Sequence, residues 1–307
     1  MPEMKKRNYS DVLSLGCIAA GGNLGFLIPP SLGFVFYAIL TEQSVGVLFI
    51  SGIMPGVLLT VLFLITIWIW CRINPEAGPA SEKVDWNTRI KSLRGIVASV
   101  LVIVLILGGI YAGFFTPTEA GAVGVFGVLV IALVKRSLSF SGFTRAMLDT
   151  GKLVGRVFIL VTGAIIFSRF ITVTEFPFRL ADAIVTLKVS PYFVLVIVLI
   201  FYILIGFVMD IMSIILLAAP ILHPILVQLG FDPVWLASLT MVTILMGNIS
   251  PPVGIVVYAL SGYVQTVPVF TIFRGTLPFL LVMVIGLFLM ILFPQISLFL
   301  PYLMKPS

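Results

Sequence analysis

Eight stretches of this 307-residue chain contain no Asp, Glu, Lys or Arg: 12–41, 43–71, 95–118, 120–134, 189–209, 211–231, 233–273 and 275–304. Apolar runs of this length suit a lipid bilayer, whose hydrocarbon core of about 30 Å is spanned by about 20 helical residues. Composition agrees, with 60% hydrophobic and 10% charged residues and a mean hydropathy of +1.23. A globular chain of this size still exposes roughly a quarter of its unfolded surface, so a soluble core has no place for so much apolar area. A soluble enzyme, a disulfide-stapled secreted module and a disordered chain are thereby excluded.

The net charge of +6 is not a nucleic-acid footprint, because Lys and Arg fall in short clusters between the apolar runs, the pattern of cytoplasmic loops. Cys17 and Cys71 lie far apart and read as small hydrophobes. The single histidine, His223, has no partner at metal-ligand spacing. The charged start, Met1 to Arg7, runs into an apolar stretch without a cleavage site, so no signal peptide is expected.

Ordinary spanning helices fit 46–71, 95–115, 119–134, 153–171 and 275–294. Two segments do not fit one. In 12–42, Gly21-Gly22-Asn23-Leu24-Gly25 precedes Pro29-Pro30-Ser31; in 234–263, Gly247-Asn248-Ile249-Ser250 precedes Pro251-Pro252-Val253-Gly254. Paired prolines remove two helix donors and clash with the preceding turn, so each segment reads as two half-helices joined by unwound backbone. The two breaks repeat one another. An offset of 222 sets Pro2 on Pro224, Tyr9 on Phe231, Gly25 on Gly247, Pro29 on Pro251 and Pro30 on Pro252, without a gap for about thirty residues.

If the block 189–231 enters and leaves by one face, with its tip near Met209–Ser213, four crossings separate the breaks. The halves then run in opposite senses, the inverted repeat of secondary transporters. The basic loops 72–94 (Arg72, Lys83, Arg89, Lys91, Arg94) and 135–152 (Lys135, Arg136, Arg145, Lys152) mark the cytoplasmic side. The block 189–231 then opens externally.

Unwound backbone at membrane depth frees carbonyl oxygens, and half-helix ends add oriented dipoles. The first suits a hard cation such as sodium, and the positive helix ends suit a carboxylate. Asn23, Asn248, Ser31 and Ser250 add neutral oxygens at the breaks. Asp210 stands alone in a charge-free block; it reads either as the N-cap of the returning helix or as a direct ion or substrate contact. Ser213 accompanies it at the hairpin tip. Thr116-Pro117-Thr118-Glu119 reads as a capping box. Arg169, Glu175, Arg179 and Asp182 read as solvated interface charges or as a docking surface.

Five ordered motifs carry a family resemblance: Gly22-Asn23-Leu24-Gly25-Phe26-Leu27-Ile28-Pro29-Pro30-Ser31 with Leu40-Thr41-Glu42-Gln43-Ser44; Gly109-Ile110-Tyr111 with Phe115 to Ala120; Phe207-Val208-Met209-Asp210; Gly230-Phe231-Asp232-Pro233; and Pro251-Pro252-Val253-Gly254. The chain resembles the large membrane subunit of tripartite ATP-independent periplasmic (TRAP) transporters, a DctM-like permease, over essentially its whole length. The resemblance implies an all-α polytopic protein of a bacterial or archaeal inner membrane. It implies an inverted-repeat, elevator-type fold like that of the ion transporter superfamily, with broken helices and a re-entrant helical hairpin. The implied parts are 1–45 (end of a first hairpin and first broken helix), 46–188 (scaffold and connecting helices), 189–263 (second hairpin and second broken helix) and 264–307 (C-terminal scaffold helix).

It further implies sodium-coupled import of an organic acid such as a C4-dicarboxylate or sialic acid, with no enzymatic activity and no cofactor beyond the coupling ion. The implied partners are a small four-helix membrane subunit and a periplasmic substrate-binding protein. Carried over by residue, one cation site falls on Gly206, Gly247, Ser250 and Val253, and its counterpart on Gly22, Asn23 and Gly25. Asp210, Ser213, Asn248 and Ser31 are the candidate substrate-facing or hairpin-tip residues. Two departures stand out: Ser250 where the family usually has Thr, and Asn248 where it usually has an apolar residue. By the offset of 222, elements preceding Pro224 have counterparts at negative numbers, so roughly 120 residues of the family pattern are expected to be absent. The alternative reading is a non-transporting remnant or one half of a split permease.

Overall fold

The computed structural model describes residues 1–79, 85–186 and 189–303. Lys83 of the first basic loop lies outside the described residues, as do the side chains of Arg89, Lys91 and Arg94. Among the described residues the regular structure is entirely helical: α1 (Pro2–Lys6), α2 (Asp11–Asn23), α3 (Leu32–Thr41), α4 (Val45–Ile73), α5 (Trp86–Tyr111), α6 (Pro117–Val134), α7 (Phe140–Val173), α8 (Phe176–Thr186), α9 (Pro191–Gly206), α10 (Ile211–Gln228), α11 (Pro233–Ile249), α12 (Ile255–Val264), α13 (Val269–Leu292) and α14 (Gln295–Leu303), with short 3₁₀ turns at Leu24–Phe26 and Pro75–Ala77. Five of these, α4, α6, α7, α10 and α13, are long and apolar enough to cross a membrane.

The expected basic loop 135–152 is helical from Phe140 onward, a correction with a plain cause. Charges do not end a helix; caps, Gly and Pro do. Ser139 accepts the Gly142 N–H at 3.0 Å and starts a 34-residue helix that runs through Arg145 and Lys152.

The chain divides into two compact units, Met1–Ser81 with Ile166–Ser307, and Glu82–Ile165. In the smaller unit α5 packs on α6, and the expected capping box is formed. Glu119 accepts the Thr116 N–H at 2.8 Å, and Thr116 Oγ1 accepts the Glu119 N–H at 3.3 Å.

In the larger unit α11 is the axis: every residue from Trp235 to Ile249 is buried. Helices α9, α10, α13 and α4 pack around it, while α2 lies along α13 and α3 along α10. The block 189–231 forms a helical hairpin, with α9 and α10 joined through Phe207–Asp210.

The repeat seen in the sequence is repeated in the backbone. At the offset of 222, α1 corresponds to the last turn of α10, and both end in the same six-residue loop closure. Tyr9 N bonds to Met4 O at 3.1 Å and Phe231 N to Leu226 O at 3.2 Å. The turn needs a left-handed residue, supplied by Asn8 (φ 58°) and Gly230 (φ 94°). Equivalent residues Ser10 and Asp232 then cap α2 and α11, accepting the N–H of equivalent Leu13 and Trp235. Beyond the breaks the offset becomes 223, one residue having been added. Leu32–Thr41 maps onto Ile255–Val264, the left-handed C-caps Glu42 and Gln265 coincide, and Pro55 falls on Pro278.

The halves are interwoven. Helix α2 of the first half crosses α13 of the second at Gly16 and Gly275, where a methyl on Gly16 would run into the Gly275 carbonyl. The equivalent crossing, α11 with α4, is made by Ser238, whose hydroxyl lies 3.1 Å from Ser51 Oγ.

Candidate functional site

Each break is made by local chemistry. Pro29-Pro30 and Pro251-Pro252 provide no N–H for the turn before them, so α2 runs out through a 3₁₀ turn and α11 stops at Ile249. Both Pro-Pro bonds are cis. The carbonyls released at the ends find partial substitutes in hydroxyl groups. Ser250 Oγ donates to Met246 O at 2.6 Å, Ser31 Oγ donates to Phe26 O, and buried Thr276 on α13 donates to Ile249 O at 3.2 Å and to Phe273 O at 3.0 Å.

The second break is braced by α9 just ahead of its exposed prolines. The backbones of Gly206, the last residue of α9, and Gly247 touch: a methyl on Gly247 would lie 2.7 Å from Gly206 Cα and 2.6 Å from Ile203 O. Only glycine permits that approach. Past the prolines, half-buried Val253 leads into Gly254, whose left-handed backbone (φ 51°) turns the chain into α12. The Ser250 and Asn248 carbonyl oxygens both face this turn, 2.9 and 3.4 Å from where a Gly254 methyl would sit. Gly206, Gly247, Ser250, Asn248 and Val253 are therefore brought together as one neighbourhood.

The first break is packed by α4, where a methyl on Gly52 would lie 2.6 Å from Leu27 O, but its glycines face outward. Gly22 and Gly25 are exposed, and a methyl on either meets nothing within 4 Å among the described residues. Asn23 is the exception. It is 3% exposed, and its Nδ2 donates to Leu245 O at 2.6 Å. Leu245 is the residue 222 positions on, the repeat mate of Asn23, so the two broken helices touch at equivalent positions. Asn23 Oδ1 and Asn248 Oδ1 are both buried without a hydrogen-bond partner among the described residues.

Asp210 and Ser213 bond to one another at the hairpin tip. Exposed Asp210 caps α10, its Oδ2 accepting the Met212 and Ser213 N–H at 3.0 and 3.2 Å, while Ser213 Oγ donates to Oδ1. Of the two readings open for Asp210, this is the cap.

A polar cluster escaped sequence reasoning. Tyr37 Oη lies 2.9 Å from His223 Nδ1, with the rings edge to face, and the Thr240 hydroxyl lies within hydrogen-bonding reach of both Tyr37 and Tyr202. His223, 7% exposed, lines a cavity of about 340 Å³ together with Thr41, Glu42, Gln43, Ser168 and Thr172. The one available signal was a lone histidine between prolines in an apolar run. Its partner Tyr37 comes from α3, 186 residues away in sequence.

Helices sized for a bilayer, a buried axial helix and two matched helix breaks define a multi-pass membrane permease. Residues 1–296 match the family described as the tripartite ATP-independent periplasmic transporter, DctM component. The chain is 36% identical over 299 residues to the C4-dicarboxylate TRAP transporter large permease protein DctM of Pseudomonas aeruginosa, covering 97% of this chain and 69% of the relative. It is 34% identical to the ectoine TRAP transporter large permease protein TeaC of Halomonas elongata (97% and 70%). It is 31% identical to the sialic acid TRAP transporter large permease protein SiaM of Vibrio cholerae (98% and 70%). The chain belongs to the DctM family of TRAP transporter large permeases. It is accordingly a multi-pass protein of the bacterial inner membrane and a transporter subunit, not an enzyme.

Proposed function

We propose that this chain is the translocating subunit of a sodium-coupled importer of an organic acid, which it receives from a periplasmic binding protein while assembled with a small membrane subunit. Residues 1–45 and 189–263 would move as the transport body of an elevator, against a scaffold of 46–188 and 264–307 in an inverted repeat. The observation that carries this reading is the Asn23–Leu245 contact: two broken helices meet at equivalent positions, 222 residues apart. The second broken helix carries oxygens that helix breaking releases, Ser250 O and Asn248 O at Gly254, and the first carries the unpartnered amide oxygen of Asn23. Neutral oxygens suit sodium, which needs several hard ligands and no buried permanent charge, and the half-helix ends favour a carboxylate. The cargoes named for the relatives are C4-dicarboxylate, ectoine and sialic acid.

The test is uptake in proteoliposomes containing the chain and its partner proteins. Accumulation should need an inward sodium gradient and no ATP. Ser250→Ala should weaken the sodium dependence, because the hydroxyl that donates to Met246 O keeps lone pairs able to meet a cation. Uptake of equal rate in potassium alone would refute the coupling. Cysteines at Ser190 and Leu229, in a chain with Cys17 and Cys71 replaced, test the re-entrant hairpin. Both should react with an impermeant reagent from outside, whereas labelling from opposite faces would mean that the block spans the membrane.

A further inference from the structure

Asn248 lies in the last turn of α11, between Gly247, whose backbone touches α9, and the Ser250-Pro251-Pro252 break. It is 2% exposed, and its Oδ1 has no hydrogen-bond partner among the described residues. Buried amide oxygens in native proteins are almost always satisfied, so this one has room for a donor from outside the chain, a water or a bound molecule. The break itself does not require it. At the equivalent position of the first half stands Phe26, 36% exposed, and the chain breaks there just the same. Asn248 is thus a polar group added to one of two otherwise matched sites.

Resting on the reading of the breaks as the transport site, we propose that Asn248 is a specificity-determining residue that accepts a hydrogen bond from the cargo. An amide oxygen gains nothing from an ionised carboxylate, which offers only acceptors, and the Nδ2 group can donate to the carboxylate of any acid, so only Oδ1 discriminates. It discriminates in favour of an acid that also carries a hydroxyl or N–H group, and against the same acid without it, whose binding leaves the buried acceptor unmet. The substrate class is therefore a hydroxy- or amino-substituted organic acid rather than a plain mono- or dicarboxylate. The Asn23 amide, anchored on Leu245 one turn before Asn248, places a second unpartnered oxygen beside the same stretch of α11.

The experiment compares acids that differ by one donor, malate and aspartate against succinate, and lactate against propionate. Two readouts are used: uptake by the assembled transporter in proteoliposomes, and the thermal shift each acid gives the purified full chain. The wild-type protein should favour the donor-bearing member of at least one pair by about tenfold or more. Asn248→Leu, close in volume, should bring that ratio towards one, while Asn248→Gln, which keeps a neutral acceptor, should retain the preference. Taking variant-to-wild-type ratios cancels any selectivity of the binding protein. Equal handling of each pair by the wild type, or an unchanged ratio in Asn248→Leu, overturns the inference while leaving the transport reading intact. So does a variant that alters only sodium dependence, which would make Oδ1 a cation ligand. If no acid is taken up and none shifts the melting temperature, the transport reading fails and the inference falls with it.

Discussion

The two broken helices share a cap, a break and a left-handed exit, yet they live in different surroundings. Along α11 every side chain from Trp235 to Ile249 is buried, and Gly247 is pressed against Gly206 of the hairpin. In and just past α2 the glycines at 21, 22 and 25 are exposed, and a methyl on Gly25, the repeat mate of Gly247, would meet nothing within 4 Å among the described residues. The same motif is braced at its glycine in one half and uncovered at its glycine in the other. A Pro-Pro break creates a potential ion or substrate site, but the element laid across it decides whether the oxygens are enclosed.

The sharpest way to break that comparison is to add a side chain at equivalent glycines. Gly247→Val should cost about 3 kcal/mol or more and abolish a monodisperse detergent-solubilised protein, because both α9 and α11 must shift backbone to admit it. Gly25→Ala should leave the melting temperature unchanged or raise stability by up to about 1 kcal/mol, since Ala is the better helix former and meets no neighbour. Equal sensitivity at the two positions would mean that the first break is as enclosed as the second.

The crossing points offer the next test. Gly16→Ala should destabilise by about 2 kcal/mol through collision with the Gly275 carbonyl. Ser238→Ala at the equivalent crossing should cost only about 1 kcal/mol, the worth of its bond to Ser51. Thermal unfolding of both variants checks the difference, and a reversed order would remove the backbone contact as the basis of the α2–α13 crossing.

Asn23→Leu gives the first half the residue its mate already has. The lost bond to Leu245 O and the removal of an unpartnered buried oxygen oppose each other, so stability should stay within about 1 kcal/mol. The stabilisation gained on exchanging potassium for sodium should fall in the same variant. A sodium effect that survives intact would take Asn23 out of the proposed cation site.

The smallest effects belong to the caps. Asp232 accepts two backbone N–H groups at 2.8 and 3.0 Å and the Tyr302 hydroxyl at 2.9 Å, whereas Ser10 accepts one N–H at 3.2 Å. Asp232→Ala should therefore cost about 1–2 kcal/mol and Ser10→Ala about 0.5–1 kcal/mol, measurable as a difference in melting temperature.

The features legible from residue order are those whose physics is local. Proline pairs without donors break helices wherever they stand, charge-free runs call for lipid, and Thr116 with Glu119 closes a capping box by their spacing. The 222-residue repeat was visible because both copies keep the same punctuation at the same intervals. The start of α7 is local too: Ser139 caps it, and the charges at Arg145 and Lys152, though typical of a loop, do not interrupt the helix.

What only the tertiary structure decided are contacts between segments hundreds of residues apart. Gly16 meets Gly275, Tyr37 meets His223, Gly206 meets Gly247, and Asn23 reaches the carbonyl of its own repeat mate. Nothing in the neighbourhood of Asn248 distinguishes a buried amide from an exposed one, because burial is a property of what packs against a residue. Helix breaks are written in the backbone chemistry of a few adjacent residues, whereas the contact that braces Gly247 and leaves Gly25 uncovered depends on where α9 lies against α11.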